Sequence, residues 1–233
     1  MATKNESTIV IKPIKKESGI ITIVGDSPLI VNAWSEKAKR EMLEAQMAKE
    51  MVKGKKPKKN DPRDPFAEYM NALYWVTPKP EESTKEAFEA AIQAGAKFGF
   101  PTNCVKLAAI TAAYRSGMTP NMVCMKGLFT VHSINHVQNS SGMDLAEIIT
   151  DAPPKCREDV CKVGGIQKVS MLRYRPCFEN WKMKLLITVN DVGLITMESV
   201  INAINIAGMM NGLGEWRMEK NGEFGMFHVE VSE

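Results

Sequence analysis

KMKLLITVNDVGLITMESVINAINIAGMMNGLGEWRMEKNGEFGMFHVEV, residues 182–231, carries the clearest architectural signal in the chain. Apolar residues stand at 183, 185, 187 and 189, with Leu186 the one apolar residue between them, close to the period of a half-buried strand. Thr196 with Ser199 then opens a helix whose apolar residues are Val200, Ile201, Ala203, Ile204, Ala207 and Gly208, the spacing of one buried helical face. A glycine-rich loop follows, and residues 226–231 alternate again as a final strand. The order is strand, helix, glycine loop, strand.

A similar order is written upstream. Residues 19–24 read as a strand that enters the turn Gly25-Asp26-Ser27-Pro28 and continues through 29–31. Ser35 caps a helix over 36–52, and residues 66–76, with Tyr69, Leu73, Tyr74 and Trp75, return to a packed surface. A second helix spans 83–94. Pro101 sits in the first turn of a third, which runs to about Arg115 and is rich in Ala, Leu and Ile. Residues 125–132 are expected as a strand. Two split βαβ halves then make one α+β sheet of the ferredoxin-like (RRM-like) kind, a single domain over 1–233. Residues 35–95, helix, basic loop and helix, form an insertion after the first strand. The stretch 135–165 is turn-rich, with Asn139-Ser140-Ser141-Gly142 and Pro153-Pro154 as breakers, and a strand over 167–174 is expected to pair with 182–189. The first 17 residues read as an arm with a β-prone piece at 9–11.

Composition narrows the class. With 44% hydrophobic and 24% charged residues and a mean hydropathy of −0.19, the chain reads as a soluble globular protein. No apolar run approaches the roughly 20 residues of a membrane span, and the start has no apolar core of a secretion signal, so an intracellular protein is expected. Five cysteines are scattered and odd in number. Cys156 and Cys161 approach zinc-knuckle spacing, but no second pair completes four ligands; free thiols are the reading, with no metal and no cofactor.

Net charge is only +3, so distribution matters more than total. Residues 37–63 hold ten Lys and Arg against four acids, and residues 155–184 hold eight against three. Lys53, Lys55, Lys56, Lys58, Lys59 and Arg63 lie in a Lys-, Pro- and Asp-rich stretch that is either a solvated loop or a clamp for a phosphate backbone. Arg173 and Arg175 flank Tyr174 and share one strand face, where they either track phosphates or pair with the acids at 158, 159 and 179. In the loop, Gly212, Gly214, Gly222 and Gly225 bracket Trp216, Arg217 and Lys220. Either the glycines only make turns and Trp216 fills the core, or their amides approach a phosphate that Arg217 and Lys220 neutralise while a base stacks on Trp216. The loop fits neither a Walker nor a Rossmann fingerprint.

Catalysis has little to stand on. The three histidines, His132, His136 and His228, all lie beyond residue 131; His132 and His228 read as ordinary sheet residues, and the acid pairs lack an environment that would tune them.

Together these segments resemble the RAMP superfamily, the repeat-associated proteins of CRISPR systems. The glycine loop resembles its signature loop. VGDSPL, residues 24–29, looks like the opening strand-turn of the branch that lines up along guide RNA, and FPTNCVKLAAITAAYR, residues 100–115, is similar to that branch's proline-opened helix with a central Lys106 and a closing Arg115. The insertion resembles its thumb-like excursion. There are departures: the loop after Gly214 is longer, Pro-Thr-Asn-Cys replaces proline-glycine-serine, and the histidine that RNA-cutting members carry in the first half is absent. The RYRP…W…GEWR…GEFG pattern also looks like small stand-alone proteins of bacterial viruses. The resemblance implies a non-catalytic protein that binds single-stranded RNA or DNA, with Lys106 and Arg115 joining the binding set. It implies a homo-oligomer or filament along the strand, in the cytoplasm of a bacterial host, with protein partners in a ribonucleoprotein or phage recombination complex and no membrane. Two other classes remain open: a structural or anti-defence interaction protein on the same fold, and a metal-independent ribonuclease using His132 or His136.

Overall fold

The structure, a computed structural model, describes residues 13–34, 36–51, 63–139, 142–163, 169–191 and 193–230. It is a mixed α+β fold of antiparallel sheets and helices. In chain order the elements are β1 (Lys15–Gly25), β2 (Leu29–Ile30), α1 (Glu36–Met51), α2 (Pro65–Asn71), α3 (Lys85–Gln93), β3 (Gly99–Pro101), α4 (Thr102–Arg115) and α5 (Met122–Lys126). They continue with β4 (Phe129–Ser133), β5 (Leu145–Ile149), β6 (Lys155–Val163), β7 (Val169–Phe178), β8 (Lys182–Asp191), α6 (Met197–Met210) and β9 (Phe227–Glu230).

β8 organises the large sheet. Met183, Leu185, Ile187 and Val189 are buried while the residues between them are not, so one face is core. β1 pairs along one edge, Lys15 opposite Asp191 through Val24 opposite Lys182. β9 pairs with the outer edge of β1, and β4 and β5 share the other edge of β8, with β3 beyond β5. Helices α4 and α6 pack on each other over the buried face. Alanines 108, 109, 112 and 113 of α4 are buried. In α6, Thr196 caps the Ser199 amide, and Val200, Ala203, Ile204, Ala207 and Gly208 line the buried side. A Cβ on Gly208 would lie 1.8 Å from the Phe227 carbonyl oxygen, so α6 approaches β9 closely there.

A second sheet, ordered β2-β7-β6, stands beside the first. The chain enters it from β1 through Gly25–Pro28, where three segments meet. Gly25 N donates to Trp181 O, Trp181 Nε1 to Ser27 O at 2.8 Å, and Met226 N to Ser27 Oγ at 2.9 Å. Helix α2 packs on β7, started by Pro65 and capped by Asp64, whose carboxylate accepts the Phe66 and Ala67 amides. Phe66, Tyr69, Trp75, Phe88, Phe98 and Phe178 pack edge to face or tilted, apart from Phe88 and Phe98, whose planes lie 25° apart. Tyr69, Met70, Leu73 and Phe88 belong to the same buried cluster as the sheet residues Ile23 and Leu185, so the later half of segment 35–95 is part of the main core. By contrast α1 leaves Met42, Leu43 and Met47 exposed.

Two expectations are corrected and a third is extended. Residues 122–126 are helical, with Asn121 Oδ1 accepting the Val123 amide at 2.7 Å, and the strand begins only at Phe129. Residues 135–165, read as turn-rich, also hold β5 and β6 between their turns. Finally β7 pairs with β6 and β2 rather than with β8, because β1, β4 and β5 already occupy both edges of β8. Among the described residues no helix is long and apolar enough to cross a membrane.

Candidate functional site

The glycine loop, residues 211–226, runs from the end of α6 back to β9 by way of β2. Gly212, Gly214 and Gly225 hold φ of 65°, 73° and 68°, the region glycine adopts without a Cβ penalty. A Cβ on Gly222 would lie 1.7 Å from the Trp216 carbonyl oxygen, and one on Gly214 would lie 2.2 Å from that of Ile30. The amides of Leu213, Glu215, Gly222 and Gly225 donate to Gly225 O, Ile30 O, Arg217 O and Pro28 O at 2.8–3.1 Å. The glycines fold the loop onto itself and onto β2, and these amides already have protein acceptors. What the loop presents outward is side chains.

Trp216, at φ 52°, is 37% exposed, and Lys220 is exposed. Arg217 is held in place: Nη1 donates to Gly214 O at 3.0 Å, while Nε and Nη2 donate to Glu219 Oε2 at 3.2 and 3.0 Å. The other oxygen of Glu219 accepts from Arg115 Nη2 at 3.1 Å. Arg115 also reaches the Oδ1 of Asn211, whose Nδ2 donates to Ala108 O from a buried position. Two guanidiniums thus share one carboxylate at the end of α4.

A second basic cluster lies on the small sheet. Arg157 is opposite Arg175 in register and Asp159 opposite Arg173. Arg157 Nε donates to Asp159 Oδ1 at 2.8 Å, and its guanidinium stands 4.7 Å from the Phe224 ring centroid, a cation–π contact that joins this face to the glycine loop. Arg175 is buried, with Nη1 3.8 Å from Asp159 Oδ2; its Nε and that carboxylate oxygen have no hydrogen-bond partner among the described residues. Arg173 is exposed. Three guanidiniums face one carboxylate. Arg157 was not singled out in the sequence, since its strand was hidden among turn residues.

Other expected residues lie elsewhere. Arg63 is committed to Glu68, donating to both its carboxylate oxygens at 2.6 Å, and to Leu172 O at 2.7 Å; the hydrogen bond it donates to Glu68 raises its pKa despite partial burial. Lys106 donates to Lys126 O at 2.8 Å and sits 5.6 Å over Phe129, tying α4 to α5; burial lowers its pKa. Lys53, Lys55, Lys56, Lys58 and Lys59 lie outside the described residues.

The remaining titratable groups serve smaller clusters. Cys156 and Cys161 are five apart on β6 and so point to opposite faces, and among the described residues no group of three or more His, Cys, Asp or Glu is arranged to hold a metal ion. Burial raises the thiol pKa of Cys104, Cys156 and Cys177. Asp144 accepts from Ser133 Oγ, the Ser133 amide at 2.7 Å and Thr102 Oγ1 at 3.1 Å. Burial pushes its pKa upward, but those bonds and the nearby His132 prevail and hold it below the usual value. His132 Nδ1 is 3.4 Å from this carboxylate, and the His136 ring lies 6.0 Å from that of His132.

A cavity of about 510 Å3 opens beside the glycine loop, lined by Trp34, Asn71, Tyr74, Trp75, Val76, Thr77, Pro78, Lys79, Gln138 and Asn139. Asn32 links the two, donating from Nδ2 to Glu215 Oε1 at 3.1 Å and accepting the Tyr74 hydroxyl at 3.5 Å. Burial pushes the Tyr74 hydroxyl up to about 12. Nothing in the local spacing of Trp34 or Lys79 marks them, because residues 34, 71–79 and 138 converge only in the fold. Compared with known proteins, the chain matches no family model and no curated protein.

Proposed function

We propose that this chain is a non-catalytic protein that binds single-stranded RNA or DNA and oligomerises along it, on a ferredoxin-like, RAMP-like sheet. The observation that carries the reading is the joined basic and aromatic surface. Exposed Trp216 and Lys220, with Arg217 beside them, adjoin Arg157 through Phe224, and exposed Arg173 shares the strand face of Arg157 over the buried Arg175. Guanidiniums in excess of carboxylates attract phosphates, and an exposed indole gives a base a face to stack on. The glycines shape the loop that presents these side chains. The order β9-β1-β8-β4, with α4 between β1 and β4 and α6 between β8 and β9, supports the split βαβ reading. The exposed apolar residues of α1 support self-association.

The test is fluorescence anisotropy with labelled RNA and DNA strands of matched sequence at two salt concentrations. Tight, salt-sensitive binding is expected, weakened by Arg217→Glu, and Arg173→Glu should reduce the salt slope by about one. No binding at low salt overturns the reading.

A second reading has one observation of its own, the His132–His136 pair with Asp144 beside His132. That arrangement suits acid–base cleavage of RNA without metal. Loss of RNA cleavage in both His132→Ala and His136→Ala would establish it; an intact strand with the native protein removes it.

A further inference from the structure

We infer that the cavity beside Trp34 is a site for a single nucleotide unit of the bound strand. The inference rests on the strand-binding reading for its choice of a nucleotide over another ring-bearing anion.

The cavity, at about 510 Å3, falls within the size range of small-molecule sites. Its walls combine three kinds of group. Trp34 is 62% exposed, and Tyr74 and Trp75 stand in the same wall. The Trp75 indole N–H is fixed on Met70 O at 3.0 Å, whereas Trp34 Nε1 has no hydrogen bond among the described residues. Gln138 supplies a side-chain amide that is likewise unpartnered among the described residues. Amides of this kind pair with base edges, donating and accepting at once.

The third group is Lys79. Its ammonium donates to the neutral Asn71 Oδ1, no carboxylate among the described residues pairs with it, and burial lowers its pKa. No Asp or Glu is among the residues that line the cavity. An aromatic face, a free amide and a lysine without an acid match a ligand that is flat, polar at its edge and negatively charged. A nucleotide has that combination: its base stacks on Trp34, Gln138 meets the base edge, and Lys79 meets the phosphate. The Asn32 bridge to Glu215 places the cavity beside the loop that carries Trp216, so one strand has two aromatic stations in succession.

The experiment uses the full chain labelled with 5-fluorotryptophan and followed by fluorine NMR, with the Trp34 signal assigned by its loss in Trp34→Phe. It is titrated separately with AMP, UMP, inorganic phosphate and maltotriose, and then with short RNA and DNA strands. The expected result is a shift of the Trp34 signal with AMP or UMP that phosphate alone does not reproduce. Trp34→Ala should weaken strand binding about fivefold or more, and Lys79→Gln should weaken it while flattening its salt dependence. A Trp34 signal moved by maltotriose and not by nucleotides overturns the inference. Strands that bind native protein and Trp34→Ala equally also overturn it, and leave the strand-binding reading standing. Nucleotides that move Trp34 in a protein that binds no strand support the site and remove the strand-binding reading.

Discussion

At the scale of single residues, backbone proximity makes the sharpest demands. Gly222→Ala forces a Cβ against the Trp216 carbonyl and Gly214→Ala against that of Ile30, so each should cost about 1–3 kcal/mol in denaturant unfolding. Gly127, with open space around its Cβ position, is the control, and Gly127→Ala should stay within about 0.5 kcal/mol. Asp144 gives a pH-dependent case. Its pKa is lowered in the folded chain, so its stabilisation is present above the ordinary carboxylate value of about 3.9 and drains away as pH falls through the folded value. Thermal melts should show Asp144→Asn less stable than the native chain at pH 7, with the gap closing towards pH 3. Local rules made some residues legible: Thr196 caps α6 because a hydroxyl there meets the Ser199 amide. Arg217 was legible as a cation and illegible as half of a shared pair, since Arg115 and Glu219 are 104 residues apart.

At the scale of elements, period decided what could be read. β8 and α6 each bury one face, so alternation and helical spacing reveal them. β6 carries arginine and acid on one face and escapes a pattern built on apolar residues, whereas β7, Val169–Phe178, overlaps the strand expected over 167–174. Their partners cannot be read from pattern at all, since strand pairing depends on which edges of β8 remain open. Helix α1 raises the converse question, having apolar residues that no element among the described residues covers. Met42, Leu43 and Met47 are 40%, 56% and 63% exposed. If α1 serves self-association, Leu43→Glu with Met47→Glu should shift the protein towards monomer in analytical ultracentrifugation while leaving its melting temperature within a few degrees. A lower melting temperature with unchanged assembly would show that the stripe serves the fold.

At the scale of the whole molecule, one buried cluster includes residues of the large sheet, α4, α6 and segment 66–100. A single cooperative transition is therefore expected in calorimetry, with calorimetric and van't Hoff enthalpies equal; two separated transitions would mean that the insertion melts on its own. The placement of β1 has a different consequence. Both its neighbours, β8 and β9, come from the last quarter of the described chain; Ser18 meets Thr188 across 170 residues and Asp26 meets His228 across 202. At roughly 5–20 residues per second of synthesis, β1 emerges from the ribosome and waits on the order of ten to thirty seconds for a partner. During that wait Ile21 and Ile23 have no sheet to enter, so nascent chains halted before β8 should bind chaperones and yield to protease, and those extended past β9 should resist both.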